Sequence, residues 1–316
     1  MKIKVAAVQM TAEPARIDVN LNKAHELASQ AFSKGAKWVI LPEFFTTAMG
    51  FNRDMINAVS SADGKPMQML KRLAAEHNGV AGGSFISHRG DDSYNTFVLA
   101  FPDGTTFFHD KDQPTMWENC WYVGGNDDGI FDTPAGKVGV AMCWEMIRSR
   151  TPRRLLNRVD LVVGGSCWWA LPEKPLPGFP RTLDERNIEI LARTPGRLAG
   201  MLGVPLIHAS HAGPLEGGLP MLPGFPYKSY FLGETQIVDG QGSILARMTR
   251  DEGEGFILAD VDIGKKIEPS EPVPDRFWIP DLPIQFRLVW AYQNWHGRRY
   301  YRKITKPFRK KVFELT

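Results

Sequence analysis

The sequence predicts an α/β protein made of two strand-helix-strand halves, each with a β-hairpin appended. Short, entirely apolar segments at 38–41 and 161–163 indicate strands that are covered on both faces. Segments such as 20–32, with apolar residues at helical spacing, alternate with these strands. Turns containing Gly favour hairpins over 96–109 and 235–246. Alternation of this kind is typical of a parallel or mixed sheet packed against helices.

Composition is that of a folded globular protein. The chain has 316 residues, of which 43% are hydrophobic and 23% charged, so it can bury a large core and is not disordered over most of its length. Its three cysteines are an odd number without CxxC or CxxH spacing, which argues against a metal site. Glycine spacing typical of phosphate-binding loops is also absent from the sequence, and we expect no cofactor. Because no apolar leader or membrane-spanning run is present, we expect a cytoplasmic protein.

The elements of the first half follow from apolar periodicity and turn residues. Gly35 ends the first helix, and Pro102-Asp103-Gly104 forms the hairpin turn. In order, we predict a strand over 2–10, a helix over 20–32, a strand over 38–41, a helix over 67–77, a strand over 79–86 and the hairpin over 96–109.

In the second half, two loops are predicted where Gly and Pro are dense, at 171–182 and 213–227. A break in the long helix is predicted at 194–196, where Pro195 occurs. The predicted elements are strands near 130–133 and over 138–142, a short helix over 152–158, a strand over 161–166, a helix over 184–202, a strand over 204–210, the hairpin over 235–246 and a strand over 256–261.

Cys143 follows the predicted strand 138–142 and precedes a polar stretch, 145–150, that is expected to open a helix. Open α/β sheets place their chemistry at the carboxyl ends of strands. A helix N-terminus also favours a thiolate, which makes Cys143 a candidate nucleophile. A small apolar residue of the core is the alternative interpretation, since free cysteine is often buried.

Glu43 and Lys111 are candidates for the groups that such a cysteine needs. Glu43 follows the strand 38–41 through Pro42, and a carboxylate at the end of a buried strand requires a partner or a function. A solvated loop position is the alternative for Glu43. Lys111 comes directly after the hairpin 96–109.

Taken together, these features resemble the nitrilase, or carbon-nitrogen hydrolase, superfamily. The resemblance lies in a Leu-Pro-Glu sequence ending at Glu43, a lysine after a hairpin, and a Gly-Val-Ala-Met-Cys sequence ending at Cys143, and it covers about residues 2–262. It implies a four-layer αββα sandwich, in which two mixed sheets are flanked by helices. It also implies a general base and acid at Glu43, a stabiliser of the tetrahedral intermediate at Lys111, a second carboxylate at Glu118 and a nucleophile at Cys143.

The predicted function is hydrolysis of a non-peptide C–N bond in a small amide or N-carbamoyl compound, through a thioester on Cys143. Conversion of a nitrile to acid and ammonia, or acyl transfer to an amine, are alternatives that use the same residues. A non-catalytic scaffold is an alternative from another class. Trp144, Trp168 and Trp169 are predicted to bind the substrate, with core or interface packing as the alternative.

The C-terminal part differs from the rest in charge. We predict a hydrolase domain over 1–265 and a basic, aromatic extension over 266–316. Between 287 and 316 there are nine Lys or Arg and one Glu, a net charge of +8 in a chain whose total is +3, so the remainder is net negative. We expect the extension to be an interface arm of a homodimer or larger homo-oligomer. Contact with an anionic membrane surface is the alternative, and nucleic acid is not expected.

Three further interpretations concern residues near these motifs. Glu145 and Arg148 are predicted to form a structural ion pair beneath the site, with binding of a substrate carboxylate as the alternative. His208 is expected to be a hydrogen-bonded structural residue. Cys120 and Cys167 are expected to have no catalytic role.

Overall fold

A computed structural model describes residues 1–174, 177–219, 222–265 and 267–314, with residues 222 and 223 described for their backbone only. These residues form thirteen strands and six α-helices. In chain order they are β1 (Lys2–Met10), α1 (Ile17–Ser33), β2 (Trp38–Ile40), β3 (Ser60–Ser61), α2 (Lys65–His77), β4 (Val80–Arg89), β5 (Asp92–Ala100), β6 (Thr106–Asp110), β7 (Ile130–Thr133), β8 (Gly136–Val140), α3 (Arg150–Leu155), β9 (Leu161–Ser166), α4 (Arg181–Leu202), β10 (Leu206–Leu219), β11 (Leu222–Val238), β12 (Ile244–Thr249), β13 (Gly255–Asp262), α5 (Ile284–Tyr300) and α6 (Lys306–Glu314).

Short helical turns connect some of these elements. A π-helical turn, Tyr301–Thr305, joins α5 to α6. The 3-10 helices of the described residues are Arg53–Ile56, Met116–Cys120, Cys143–Ile147 and Arg250–Glu252. All helices of the described residues are too short or too polar to cross a lipid bilayer.

The strands form two sheet halves that join at one place. The hydrogen-bonded order is β6-β5-β4-β2-β1-β10-β9-β8-β7, with parallel and antiparallel pairs, so both halves are mixed. β1 pairs with β10 only at Gln9–Ser210 and Met10–His211. Along the rest of its length β1 pairs with β13. The two halves therefore separate beyond this junction and face each other.

Three layers of apolar side chains show how the sheet halves and the helices stack on one another. The layer between the sheet halves contains Val5 and Ile40 from one half and Val163 and Ile207 from the other. A second layer packs α1 and α2 onto the outer face of the first half, and a third packs α3 and α4 onto the second half. This arrangement is the predicted αββα sandwich, and the predicted fold class is confirmed.

Strand directions place the ends of β2, β6 and β8 at the same side of the sandwich. β2 runs parallel to β1, and β1 runs parallel to β10. β8 is parallel to β9, which is parallel to β10. β6 is antiparallel to β5, which is antiparallel to β4, so β6 runs in the same direction as β4 and β2. The residues that follow these three strands can therefore converge.

The secondary-structure predictions for 213–227 and 194–196 were wrong. The predicted loop over 213–227 is a long hairpin of β10 and β11, although residues 220 and 221 lie outside the described part. Pro214 and Pro226 lie opposite Tyr230 and Gly218 in this hairpin, whose strand pairing forms in spite of the prolines. The predicted break at 194–196 is absent, since α4 continues through Pro195 with its apolar face buried against the sheet.

The C-terminal extension packs on the body of its own chain. A Cβ at Gly297 of α5 would lie 2.6 Å from the Cβ of Asn119, so glycine permits this close approach. Arg309 is buried and donates hydrogen bonds to the carbonyl oxygens of Met55, Ile56 and Trp121. The domain division stays a prediction, and its boundary at residue 266 lies outside the described residues.

Some basic residues of the extension have their partners within the same chain. Lys306 pairs with Asp92 at 2.9 Å, and Lys310 pairs with Asp91 at 3.1 Å. Part of the positive charge of the extension is therefore paired with acidic residues of the same chain. The expected interface arm stays a prediction.

Candidate active site

Cys143 begins the 3-10 helix Cys143–Ile147 directly beyond β8. Its φ of 48° lies in the left-handed region, which is costly for a residue with a Cβ and is often found at functional sites. The predicted helix over 145–150 is instead this 3-10 helix followed by α3. Cys143 is only 1% exposed, yet it lines a cavity.

The thiol of Cys143 is held in its neutral form. Burial raises its pKa well above the usual value, and the carboxylate of Glu43 adds to the rise, while Lys111 opposes it. The backbone N–H of Trp144 does favour the thiolate, as expected for this position. Desolvation by burial outweighs the backbone and lysine contributions, so a base must take the proton when the sulfur attacks.

Lys111 lies between two carboxylates just after β6. Its Nζ donates to Oε1 of Glu43 and to Oε2 of Glu118, both at 2.8 Å, and all three side chains are inaccessible to solvent. Burial disfavours its charged form, but the two carboxylates outweigh this effect and raise the pKa of Lys111. Lys111 is therefore a fixed cation.

Glu43 has a pKa suited to proton transfer. Its Oε1 also accepts a hydrogen bond from Asn95, and its Oε2 accepts one from the backbone N–H of Cys167. Burial raises the pKa of Glu43 to about 7, with Lys111 opposing and Glu118 adding to the rise. Glu43 can therefore exchange a proton near neutral pH, as a general base or acid requires. The solvated alternative for Glu43 is excluded by its burial.

Glu118 lies in the 3-10 helix Met116–Cys120. Its Oε2 accepts hydrogen bonds from the backbone N–H of Thr115 and from the hydroxyl of Tyr122, in addition to Lys111. Its Oε1 is buried without a hydrogen-bond partner among the described residues. One oxygen therefore orients Lys111, and the other is free for a further donor.

The predicted residues converge in space. The sulfur of Cys143 and carboxylate oxygens of Glu43 and Glu118 lie within 4.8 Å of one another. A cysteine and two carboxylates at this spacing could hold a metal ion, but the ammonium of Lys111 already lies 2.8 Å from an oxygen of each carboxylate. The lysine thus supplies the positive charge of the site.

The loops that carry Lys111 and Cys143 are joined by Glu145. Its Oε1 accepts a hydrogen bond from the backbone N–H of Asp112 at 3.0 Å, and its Oε2 accepts one from the backbone N–H of Met142 at 2.9 Å. The predicted pairing of Glu145 with Arg148 was wrong. Arg148 pairs instead with Asp112 at 2.5 Å, while Glu145 lies against His109. The side chain of Arg148 thus pairs with the residue that follows Lys111, and not with Glu145 three residues earlier in the chain.

The predicted substrate-binding tryptophans line the cavity next to Cys143. The cavity has a volume of about 190 Å³, and Trp144, Trp168 and Trp169 all form part of its wall. Trp168 donates from Nε1 to Asn187, and the ring of Trp169 stacks on Trp117 at 4.4 Å between centroids. Their predicted role in binding substrate stays a prediction, but their positions suit it.

Several residues of this region were missed by the sequence analysis. Asn95 and Tyr122 contact the carboxylates, and nothing in their local sequence indicates this. A second group belongs to α5. Its buried residues recur at helical spacing, but this periodicity alone does not indicate that the helix lines the cavity. The α5 residues that line the cavity are Phe286, Val289, Tyr292 and Gln293.

His208 is a buried, hydrogen-bonded residue, in line with the structural role expected for it. Its Nδ1 lies 2.9 Å from the carbonyl oxygen of Glu234 and its Nε2 2.7 Å from the hydroxyl of Ser166. Burial lowers its pKa to about 4, so the ring is neutral.

Comparison with known proteins identifies the family of the chain. Residues 4–267 match the family model for carbon-nitrogen hydrolases. The chain is 32% identical to omega-amidase NIT2-B of Xenopus laevis, covering 87% of this chain and 94% of that one. It is 24% identical to 2-oxoglutaramate amidase of Bacillus subtilis (strain 168), covering 87% and 96%. These relatives are named as amidases and give no support to the scaffold alternative.

Solved structures show the same fold. A carbon-nitrogen hydrolase from Helicobacter pylori G27 superposes with a TM-score of 0.69 at 18% identity, over 83% of this chain and 89% of that one. A superfamily protein from Xanthomonas campestris gives a TM-score of 0.66 at 16% identity, over 83% and 91%. The family match spans both sheet halves and contains all four converging residues. This chain therefore belongs to the carbon-nitrogen hydrolase family and is an enzyme of that class.

Proposed function

We propose that this enzyme hydrolyses the C–N bond of a small amide, with Cys143 as nucleophile, Glu43 as general base and acid, Lys111 as oxyanion stabiliser and Glu118 as the residue that orients Lys111. One observation carries the proposal. The thiol of Cys143, at the wall of a cavity, lies within 4.8 Å of two carboxylates that flank a buried ammonium.

The first half of the proposed reaction forms a thioester. As the sulfur bonds to the amide carbon, the thiol proton passes to the ionised carboxylate of Glu43, and the carbonyl oxygen becomes an oxyanion. Lys111 and the backbone N–H of Trp144 stabilise that charge, which is a large term in enzymes of this kind. When the C–N bond breaks, Glu43 returns the proton to the nitrogen, and ammonia or an amine leaves.

The second half hydrolyses the thioester. Glu43, again ionised, takes a proton from water as the water oxygen bonds to the acyl carbon. The C–S bond then breaks, and the proton moves from Glu43 to the departing sulfur. The thiol and the carboxylate are restored, so no external co-reactant is needed beyond water.

The experiment is trapping of the covalent adduct by mass spectrometry, with ammonia release measured in parallel. We expect turnover of at least one amide or N-carbamoyl compound, an acyl adduct on the peptide that contains Cys143, and loss of both in Cys143→Ala. Cys120→Ala is the matched control, because Cys120 is another buried thiol away from the carboxylates. A folded protein without ammonia release from any amide, carbamoyl compound or nitrile would refute the proposal.

A nitrile substrate and acyl transfer are the competing reactions at this site. A nitrile would form a thioimidate on Cys143 in place of a tetrahedral amide adduct. Paired panels of nitriles and their amides, compared at equal concentration, distinguish the two. Added hydroxylamine tests acyl transfer, because a hydroxamate forms if an amine intercepts the thioester faster than water does.

We further propose that the exposed side of α5 is a contact surface between two copies of the chain. Ile284, Leu288, Tyr292 and Trp295 follow one another at helical spacing and are 53–64% exposed. Leu288→Glu should lower the molar mass measured by light scattering if a homodimer uses this stripe. Sedimentation with anionic vesicles, lost in the same variant, would instead favour a membrane surface. The three buried free thiols support a reducing, cytoplasmic location as part of this proposal.

A further inference from the structure

The cavity next to Cys143 is uncharged. Its described wall contains four tryptophans, aliphatic and other aromatic side chains and the uncharged polar residues Thr115, Asn187 and Gln293, and none of its described residues is Lys, Arg, His, Asp or Glu. Positions 175, 176, 220 and 221, which are outside the described residues, carry no ionisable side chain in the sequence either. The acyl part of a substrate must therefore be held mainly by apolar contact.

Two buried cations near the candidate nucleophile, Lys111 and Arg148, are already paired with carboxylates. Lys111 lies 2.8 Å from an oxygen of Glu43 and of Glu118. Arg148 lies 2.5 Å from an oxygen of Asp112 and is 2% exposed. A substrate carboxylate in the cavity would thus be buried without an unpaired cation, which costs several kcal/mol.

The size of the cavity limits the acyl group. A dry apolar cavity of about 150 Å³ holds a benzene molecule. At about 190 Å³, this cavity has room for a group somewhat larger than a phenyl ring. Trp144 and Trp168 lie 5.7 Å apart between ring centroids and present flat faces and edges suited to such a group.

Part of the wall comes from α5, which lies beyond the residues matched by the family model. Phe286 is buried, and Val289 is half-buried one turn further along the helix. Gln293 is the next residue of this face, and its Oε1 is buried without a hydrogen-bond partner among the described residues. The extension thus supplies an apolar wall with one amide group.

We propose that the enzyme prefers uncharged amides with a hydrophobic acyl group of about phenyl to phenylacetyl size, and that Phe286 and Val289 of α5 determine this preference. The inference rests on the proposed function, because it assigns the acyl side of the amide to this cavity. It also separates this chain from its Bacillus subtilis relative, whose name specifies 2-oxoglutaramate, an amide that carries a carboxylate.

The test uses two amides of nearly equal shape, hexanamide and the monoamide of glutaric acid. They differ by an ethyl group in one and a carboxylate in the other. We expect kcat/KM to be at least about 100-fold higher for hexanamide, as expected for a penalty of about 3 kcal/mol or more. A ratio near one, or preference for the charged amide, would overturn the inference.

A charge placed on the α5 wall tests the role of the extension. Val289→Lys should lower kcat/KM for hexanamide and raise it for the glutaric monoamide, so that their ratio falls at least tenfold. Gln285→Lys is the matched control, since it adds the same charge one turn earlier on α5 and is outside the described cavity wall. An unchanged ratio in Val289→Lys, or an equal fall in Gln285→Lys, would contradict the assignment to α5.

Binding measured without turnover separates the two proposals. In Cys143→Ala, calorimetry should still show tighter binding of hexanamide than of the glutaric monoamide. If the wild-type enzyme cleaves neither amide nor any other C–N compound while this binding preference remains, the proposed function fails and the inferred preference stands. If C–N hydrolysis occurs and the preference is reversed, the inference fails alone.

Discussion

The Nε2 atom of His109 lies 3.2 Å from Oε1 of Glu145, and both side chains are fully buried. His109 precedes Lys111 by two residues, and Glu145 follows Cys143 by two residues. This contact therefore joins the strand that carries the catalytic lysine candidate to the turn that carries the nucleophile candidate. The Nδ1 atom of the same ring lies against Asp127, so the histidine is held between two carboxylates.

This arrangement predicts a loss of stability at alkaline pH. Burial disfavours a charged His109, but Glu145 and Asp127 outweigh burial and raise its pKa to about 9 from 6.5. Because the folded pKa is raised, the contribution is complete below about pH 6.5 and is lost as the pH rises through 9. It is on the order of 3 kcal/mol. Urea unfolding between pH 6 and 10 should show a steeper decline in the wild type than in His109→Gln, since the buried thiols, whose pKa values are also raised, lower the stability of both proteins at alkaline pH. Equal slopes for the two proteins would contradict it.

The pKa of Glu43 predicts the pH dependence of activity. Since a general base must be ionised, kcat/KM should rise with pH and reach a plateau above about 7, the pKa to which burial raises this group. Asn95→Ala removes a donor to the carboxylate and should move the rise to higher pH, because that hydrogen bond favours the charged form. A rise centred near pH 4.5 in the wild type would exclude Glu43 as the base.

Glu43→Gln is predicted to separate stability from activity. The folded pKa is raised, so the folded state binds more protons than the unfolded state between pH 4.5 and 7, and stability falls as the pH rises through this range. At pH 8 the variant does not bear the free-energy cost of ionising a buried carboxylate, so its Tm should be at least equal to that of the wild type. Its activity should be reduced on the order of 100-fold or more, because the general base is lost. Differential scanning calorimetry and ammonia release measure the two effects. A large fall in Tm would show that the ionised carboxylate is needed for folding.

Lys111→Met should reduce both stability and activity. It leaves Glu43 and Glu118 buried without their cation, and removal of one member of a buried ion pair costs about 3–5 kcal/mol. The double variant Lys111→Met/Glu118→Gln removes one negative charge and should recover most of the stability. Activity should stay low in both, because the oxyanion loses its stabilising cation. Recovery of activity in the double variant would contradict the role given to Lys111.

Docking of α5 is predicted to depend on Gly297. Any Cβ there would lie 2.6 Å from the Cβ of Asn119, which follows Glu118 in the 3-10 helix Met116–Cys120. Gly297→Val should move α5 away from the cavity and lower kcat/KM at least tenfold for a hydrophobic amide. Ala291→Val is the control, since Ala291 is exposed on the same helix. Equal kinetics for the two variants would show that the cavity does not need the close approach of α5.

Prediction from the sequence succeeded where local pattern and sheet geometry act together. The strands that precede Glu43 and Cys143 were visible as apolar segments, and parallel strands must place their carboxyl ends at one side. It failed where long-range packing decides the outcome. Pro195 does not break α4, and the Gly- and Pro-rich segment 213–227 becomes a ribbon, because burial and strand pairing outweigh local preference. The partners of Glu145 and Arg148 likewise depend on loops distant in the chain.

By itself the sequence determined the alternation of strands and helices, since apolar periodicity and turn residues are properties of short segments, and its motifs around Glu43, Lys111 and Cys143 gave the family resemblance that implied the αββα sandwich. Only the tertiary structure decided the protonation of the thiol, the position of Lys111 between two carboxylates and the uncharged cavity bounded by α5. These properties depend on burial and on distances between side chains far apart in the chain. No local pattern contains that information.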